Sequence, residues 1–130
     1  MKKNETVCVV GLGYIGLPTA ALLANGAYEV HGVDIDREVV DTINRSEIHI
    51  VEPDLDTFVH SAVNSGHLKA STEPAESDIF IIAVPTPFAE EDHTPNVSYV
   101  LKAAEAISPY LKPGNLVILM DLFCDNKDNR

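Results

Sequence analysis

The chain has 130 residues, enough for one domain that buries roughly two thirds of its unfolded surface. It is 45% hydrophobic and 22% charged, with nine Lys and Arg against 20 Asp and Glu and a net charge of −11. That acidity argues against a nucleic-acid partner, which selects a basic face, and the two cysteines, Cys8 and Cys124, lack metal or redox spacing, so a reducing cytoplasm is expected.

Lys2 and Lys3 before the apolar stretch from Val7 to Ala24 imitate a secretory leader, but Gly11, Gly13, Gly16 and Pro18 interrupt it. No stretch reaches the ~20 apolar residues of a membrane span. The first strand is expected over Thr6–Val10 and the first helix over Tyr14–Asn25, stopped by Gly26. Pro18 is tolerated in the first turn of that helix, where N–H groups lack partners anyway. A second strand, Glu29–Asp34, leads to Asp36, which caps a helix with Val39, Val40 and Ile43 as its apolar positions. The loop Ile48 to Pro53 precedes a third helix with Leu55, Phe58, Val59, Ala62 and Val63 on one face, ended by Ser65-Gly66. A short strand near Leu68–Ser71 follows.

Ile79 to Val84 is continuously apolar, as in a parallel strand buried on both faces, and Pro85-Thr86-Pro87 breaks it. Asn96 caps a fourth helix with Val97, Val100, Leu101, Ala104 and Ile107 at helical spacing. Lys112-Pro113-Gly114-Asn115 is a turn, and Leu116–Met120 the last strand. Residues 121–130 carry five charges and read as a polar tail beyond a domain of residues 1–120. The alternation predicts an α/β, Rossmann-like doubly wound parallel sheet with right-handed crossovers. Ending on a strand suggests a truncated domain.

Gly11, Gly13 and Gly16 lie between a strand and a helix, and Asp34 follows the last of them by 18 residues at the end of the next strand. Together they form a dinucleotide-binding fingerprint. Gly11 permits the tight turn, Gly13 admits the pyrophosphate, and Gly16 lets the helix lie close to the sheet. The helix N-terminus offers free N–H groups to phosphate, so an acidic chain can still hold one. Asp34 can accept hydrogen bonds from ribose hydroxyls, worth roughly 1.5–3 kcal/mol for a charged acceptor. A 2′-phosphate about 4 Å away would meet repulsion of about 4 kcal/mol at an effective dielectric of 20. NAD is therefore expected over NADP. Arg37 covers the adenine face or lies in solvent; pairing with a 2′-phosphate is its competing role. His31, His49, His60, His67 and His93 match no zinc spacing, so no metal is expected.

The segments Gly11 to Pro18, Val33-Asp34-Ile35-Asp36 and Ala83 to Pro87 resemble the nucleotide-sugar 6-dehydrogenases, the UDP-glucose/GDP-mannose dehydrogenase family. Val40 to Arg45 and Ile48 to Leu55 are similar to the branch that oxidises UDP-N-acetyl-D-mannosamine in polysaccharide biosynthesis. The resemblance runs from Thr6 to Leu119. It implies a two-step oxidation of a sugar C6 alcohol to a carboxylate, with NAD as acceptor, through a catalytic cysteine aided by lysine, asparagine and aspartate in downstream segments. It places Tyr14, Ile15, Val84 and Pro85 at the cofactor and Thr86 beside the nicotinamide, where it helps order a catalytic water. Glu52 matches a family position near the cofactor, and is otherwise a solvated loop acid. Met120 stands where the family has a glutamate, and Cys124 lies outside the catalytic-cysteine context. The chain is thus expected to bind NAD, with the UDP-sugar met in the full-length enzyme, to be inactive alone, and to associate weakly. A dehydrogenase of another class on this fold and a non-enzymatic NAD(H)-binding module are the alternatives.

Overall fold

β-Branched residues fill the central strands because both faces of a parallel sheet are covered, and the computed structural model shows how that pattern is used over the described residues, 5–84 and 97–120. The elements are β1 (Thr6–Val10), α1 (Gly16–Asn25), β2 (Glu29–Val33), α2 (Arg37–Asn44), α3 (Leu55–Asn64), β3 (Leu68–Ser71), β4 (Ile79–Ile82), α4 (Ser98–Ile107) and β5 (Leu116–Leu119). A 3-10 turn at Ser108–Tyr110 follows α4. All neighbouring strands are parallel, in the order β3-β2-β1-β4-β5. The chain steps outward from β1 to β3 and then returns to β4 on the other side of β1. That reversal opens a crevice at the carboxyl ends of β1 and β4, where ligands of doubly wound sheets bind.

Side chains alternate between the two faces. Val7, Val9 and Ile81 join Leu17, Ala20, Ala21 and Ala24 of α1 and Val59 of α3 in one core. Cys8, Val10, Phe80 and Ile82 point the other way, against Ala103 and Ile107 of α4. The alanines of α1 keep that helix close to the strands beneath it. Asp36 caps α2 as expected, its Oδ1 accepting from the Glu38 N–H at 3.0 Å. The 112–115 turn closes with the Asn115 N–H on the Lys112 carbonyl at 3.1 Å and Gly114 at φ 92°.

Three expectations need correction. Helix α1 begins at Gly16, not Tyr14, although the Leu17 N–H already donates to the Gly13 carbonyl at 3.0 Å, so only the boundary moves. The helix stops at Gly26 as expected; Gly26 keeps φ −89°, and the left-handed residue is the next one, Ala27, at φ 77°. Phe58 is 52% exposed, because α3 turns Leu55, Val59 and Ala62 inward and leaves Phe58 about a quarter turn away. On α4 the buried residues are Ala103 and Ile107, and Leu101 is 59% exposed. Apolar residues on α4 fit two helical stripes, and the small Ala103 allows the closer approach to β4. The expected Asn96 cap lies outside the described residues. β5 pairs with β4 along one edge, and all four of its residues are exposed.

Candidate functional site

The turn leaving β1 is built by two glycines and one acid. Gly11 has φ 99°, a conformation side chains resist, and a Cβ there would stand 2.7 Å from the Ala83 carbonyl oxygen. Its N–H donates to the Val33 carbonyl at 2.7 Å, tying the turn to β2. A Cβ on Gly16 would strike the Gly11 carbonyl, with Ala83 Cβ next at 3.4 Å. Gly16 therefore makes room for the fold of the loop itself rather than for helix–sheet packing.

Gly13 differs from both. A Cβ there would meet nothing within 4 Å, so no protein atom demands glycine at this position. What the missing side chain leaves free is cleft, which Gly13 lines. That open space would let a group from outside come close to the backbone, as a pyrophosphate does in dinucleotide-binding turns. The N-terminus of α1 agrees, because Ile15 makes no side-chain cap and the first turn holds no acid.

Asp34 closes the arrangement from β2. Its Oδ2 accepts from the Leu12 N–H at 3.0 Å, and its Oδ1 accepts from the Asp36 N–H at 3.0 Å. Each oxygen keeps lone-pair capacity for a further donor such as a ribose hydroxyl. Gly32 was not singled out by sequence, yet a Cβ there would lie 3.1 Å from both Leu12 methyl carbons. The signal was a glycine inside a strand, which marks close approach by another group.

The cleft these residues border measures about 530 Å³, within the range of small-ligand sites. Gly11, Gly13, Tyr14, Ile15, Asp34 and Val84 all line it; Gly16 and Arg37 do not. Arg37 is exposed at the start of α2. Glu52 is exposed as well and away from the lining, its carbonyl accepting from the Leu55 N–H at 3.2 Å. Pro85 and Thr86 lie outside the described residues. Sequence reasoning missed the wall formed by Tyr99, Lys102, Ala103 and Ala106 of α4, whose spacing of three and four residues was the available signal. Thr72, Pro74 and Met120 also border the cleft.

Cys8 is fully buried, and burial pushes its thiol upward against a smaller, opposite effect of a backbone hydrogen bond at Ala75. Such a thiol is a poor nucleophile. His31 Nε2 lies 3.0 Å from the Glu73 carbonyl, and His60 Nε2 lies 2.8 Å from Asn64 Nδ2. Among the described residues no three His, Cys, Asp or Glu side chains gather as a metal site, and no helix is long and apolar enough to cross a membrane.

Residues 5–121 match the model of the UDP-glucose/GDP-mannose dehydrogenase family, NAD binding domain. The chain is 58% identical over 119 residues to UDP-N-acetyl-D-mannosamine dehydrogenase of Campylobacter jejuni, covering 92% of this chain and 29% of that one. It is 59% identical over 115 residues to NDP-N-acetyl-D-galactosaminuronic acid dehydrogenase of Ralstonia solanacearum, covering 88% and 27%. Among solved structures, UDP-N-acetyl-mannosamine dehydrogenase from Staphylococcus aureus superposes with a TM-score of 0.88 at 40% identity, over 95% of this chain and 30% of that one. The chain spans less than a third of each of these relatives.

Proposed function

Because the chain belongs to the UDP-glucose/GDP-mannose dehydrogenase family, as its NAD-binding domain, we propose that residues 1–120 hold NAD for the oxidation of a nucleotide-activated N-acetylhexosamine at C6. UDP-N-acetyl-D-mannosamine is the sugar we put first, on the likeness to the Campylobacter enzyme. Near-equal identity to a galactosaminuronic acid dehydrogenase means that this segment alone separates those sugars poorly. Oxidising a primary alcohol to a carboxylate removes two hydrides and adds one water, and bound NAD supplies the hydride acceptor.

The residues of this chain bind and orient. The backbone at Gly13 and the positive end of α1 receive the pyrophosphate. Asp34 accepts the ribose hydroxyls and repels a 2′-phosphate. Tyr14, Ile15 and Val84 enclose the cofactor, and the resemblance at Pro85-Thr86 supports a role for Thr86 beside the reacting water. Arg37, outside the cleft lining, stays in solvent or over the edge of the adenine. Cys8 is excluded as the catalytic thiol by its burial in β1.

The carrying observation is the Asp34 carboxylate at the cleft, hydrogen-bonded to the turn that bears Gly13. Thermal unfolding of the chain with NAD, and separately with NADP, tests the reading. A ligand at 100 times its Kd stabilises by about 2.7 kcal/mol. NAD is expected to stabilise and NADP to leave the transition unmoved. No shift with either at millimolar concentration overturns the proposal.

A further inference from the structure

We propose that Lys102 is a cofactor-binding residue, its ammonium pairing with the pyrophosphate of the dinucleotide. The inference rests on the cofactor reading above. Lys102 is the one cation among the described residues that line the cleft, and Asp34 the one carboxylate. Lys102 enters none of the ion pairs formed among the described residues, although carboxylates outnumber cations twofold in this chain. An ammonium without a carboxylate partner among the described residues, on the α4 wall of the cleft, is placed for a charge that arrives with the ligand.

The need for it is electrostatic. A dinucleotide brings two negative phosphates to a molecule of net charge −11. Backbone N–H groups at Gly13 and the α1 N-terminus offer only partial charges. Helix α4 is anchored on the sheet through Ala103 and Ile107, while Lys102 itself is exposed. A lysine that lines a cleft while exposed can lay its apolar stem on the wall and keep its head in water, within reach of an anion.

The test uses the whole chain, with three ligands titrated calorimetrically at low and high salt: NAD, ADP-ribose and adenosine. Adenosine carries the ring and ribose without phosphate. In Lys102→Gln, NAD and ADP-ribose are expected to weaken about three- to tenfold, as for loss of one charge-assisted contact. Adenosine should be unchanged, the deficit should shrink as salt screens the pair, and Lys102→Arg should restore most of the affinity. Equal losses for adenosine and ADP-ribose would make Lys102 a packing residue and overturn the inference, as would an unchanged Kd for all three. If the unsubstituted chain binds NAD while Lys102→Gln does so equally well, only this inference falls. Failure of the unsubstituted chain to bind overturns both.

Discussion

The Leu12 N–H donates to Asp34 Oδ2 at 3.0 Å across 22 residues of chain, so the glycine turn and the acid that ends β2 form one unit. The Asp36 N–H on the other oxygen, also at 3.0 Å, extends that unit to the start of α2. In the usual reading of such a fingerprint the acid waits for a ribose. Here it also holds the turn in place before any ligand arrives.

Asp34→Asn is therefore expected to weaken the fold and the cofactor site together. An amide can accept only through its oxygen, so one of the two N–H groups would face a donor. The cost is about 1–3 kcal/mol, read as a lower midpoint in urea without cofactor. NAD stabilisation should be lost in the same variant. An unchanged midpoint would show that the carboxylate serves the ligand alone.

The glycines separate folding from binding. Gly11→Ala should destabilise by about 2 kcal/mol or more, because φ 99° is strained for alanine and its Cβ meets a backbone oxygen. Gly13→Ala should leave unfolding within about 0.5 kcal/mol of the parent, since its Cβ enters open space. It should nonetheless reduce NAD affinity at least about tenfold, the mark of a methyl group where a phosphate must lie. Urea unfolding and NAD titration of both variants check this. A Gly13→Ala protein that binds NAD normally would remove the phosphate from that spot.

Why the sequence disclosed some of this and withheld the rest follows from particular residues. The strands were legible because β-branched runs such as Ile79 to Ile82 have few other uses, and Asp34 because its spacing from Gly16 is set by one crossover unit. The true burial face of α4 was not legible: Leu101 and Ala104 satisfy the same spacing rule as Ala103 and Ile107, and only the sheet chooses between them. The α4 wall of the cleft, with Tyr99 and Lys102, exists only once α4 is docked. Gly16 was legible as necessary but not for its reason, since its obstacle is a carbonyl placed by Gly11.

Cys8 gives the fold an alkaline weakness. Burial raises its folded-state pKa, so above about pH 8.5 an unfolded thiol ionises while the native one keeps its proton. The unfolded state then binds fewer protons, and stability falls as pH rises, by at most about 1.4 kcal/mol per unit from this group. Cys8→Ala should flatten that part of the stability–pH curve while lowering its plateau slightly. In a Cys124→Ser background a thiol reagent should react only upon unfolding; fast labelling of the native protein would contradict the buried placement.

Helix α1 offers a gain rather than a loss. Its end is a Schellman motif: the Tyr28 N–H bonds the Leu23 carbonyl at 3.1 Å and the Ala27 N–H bonds that of Ala24 at 3.0 Å. The motif asks for glycine at the left-handed position, but Ala27 occupies it at φ 77°, one residue after Gly26. Left-handed geometry costs an L-residue roughly 1–2 kcal/mol, part of which glycine returns as entropy of the unfolded chain. Ala27→Gly should thus stabilise by about 0.5–1 kcal/mol, seen as a higher urea midpoint at unchanged slope. Ala27 is exposed and about as far from the cleft as α1 permits, at the opposite end of the helix from the glycine turn, so NAD affinity should not move. A destabilised Ala27→Gly would mean that the Ala27 methyl group makes contacts whose loss outweighs the relief of backbone strain.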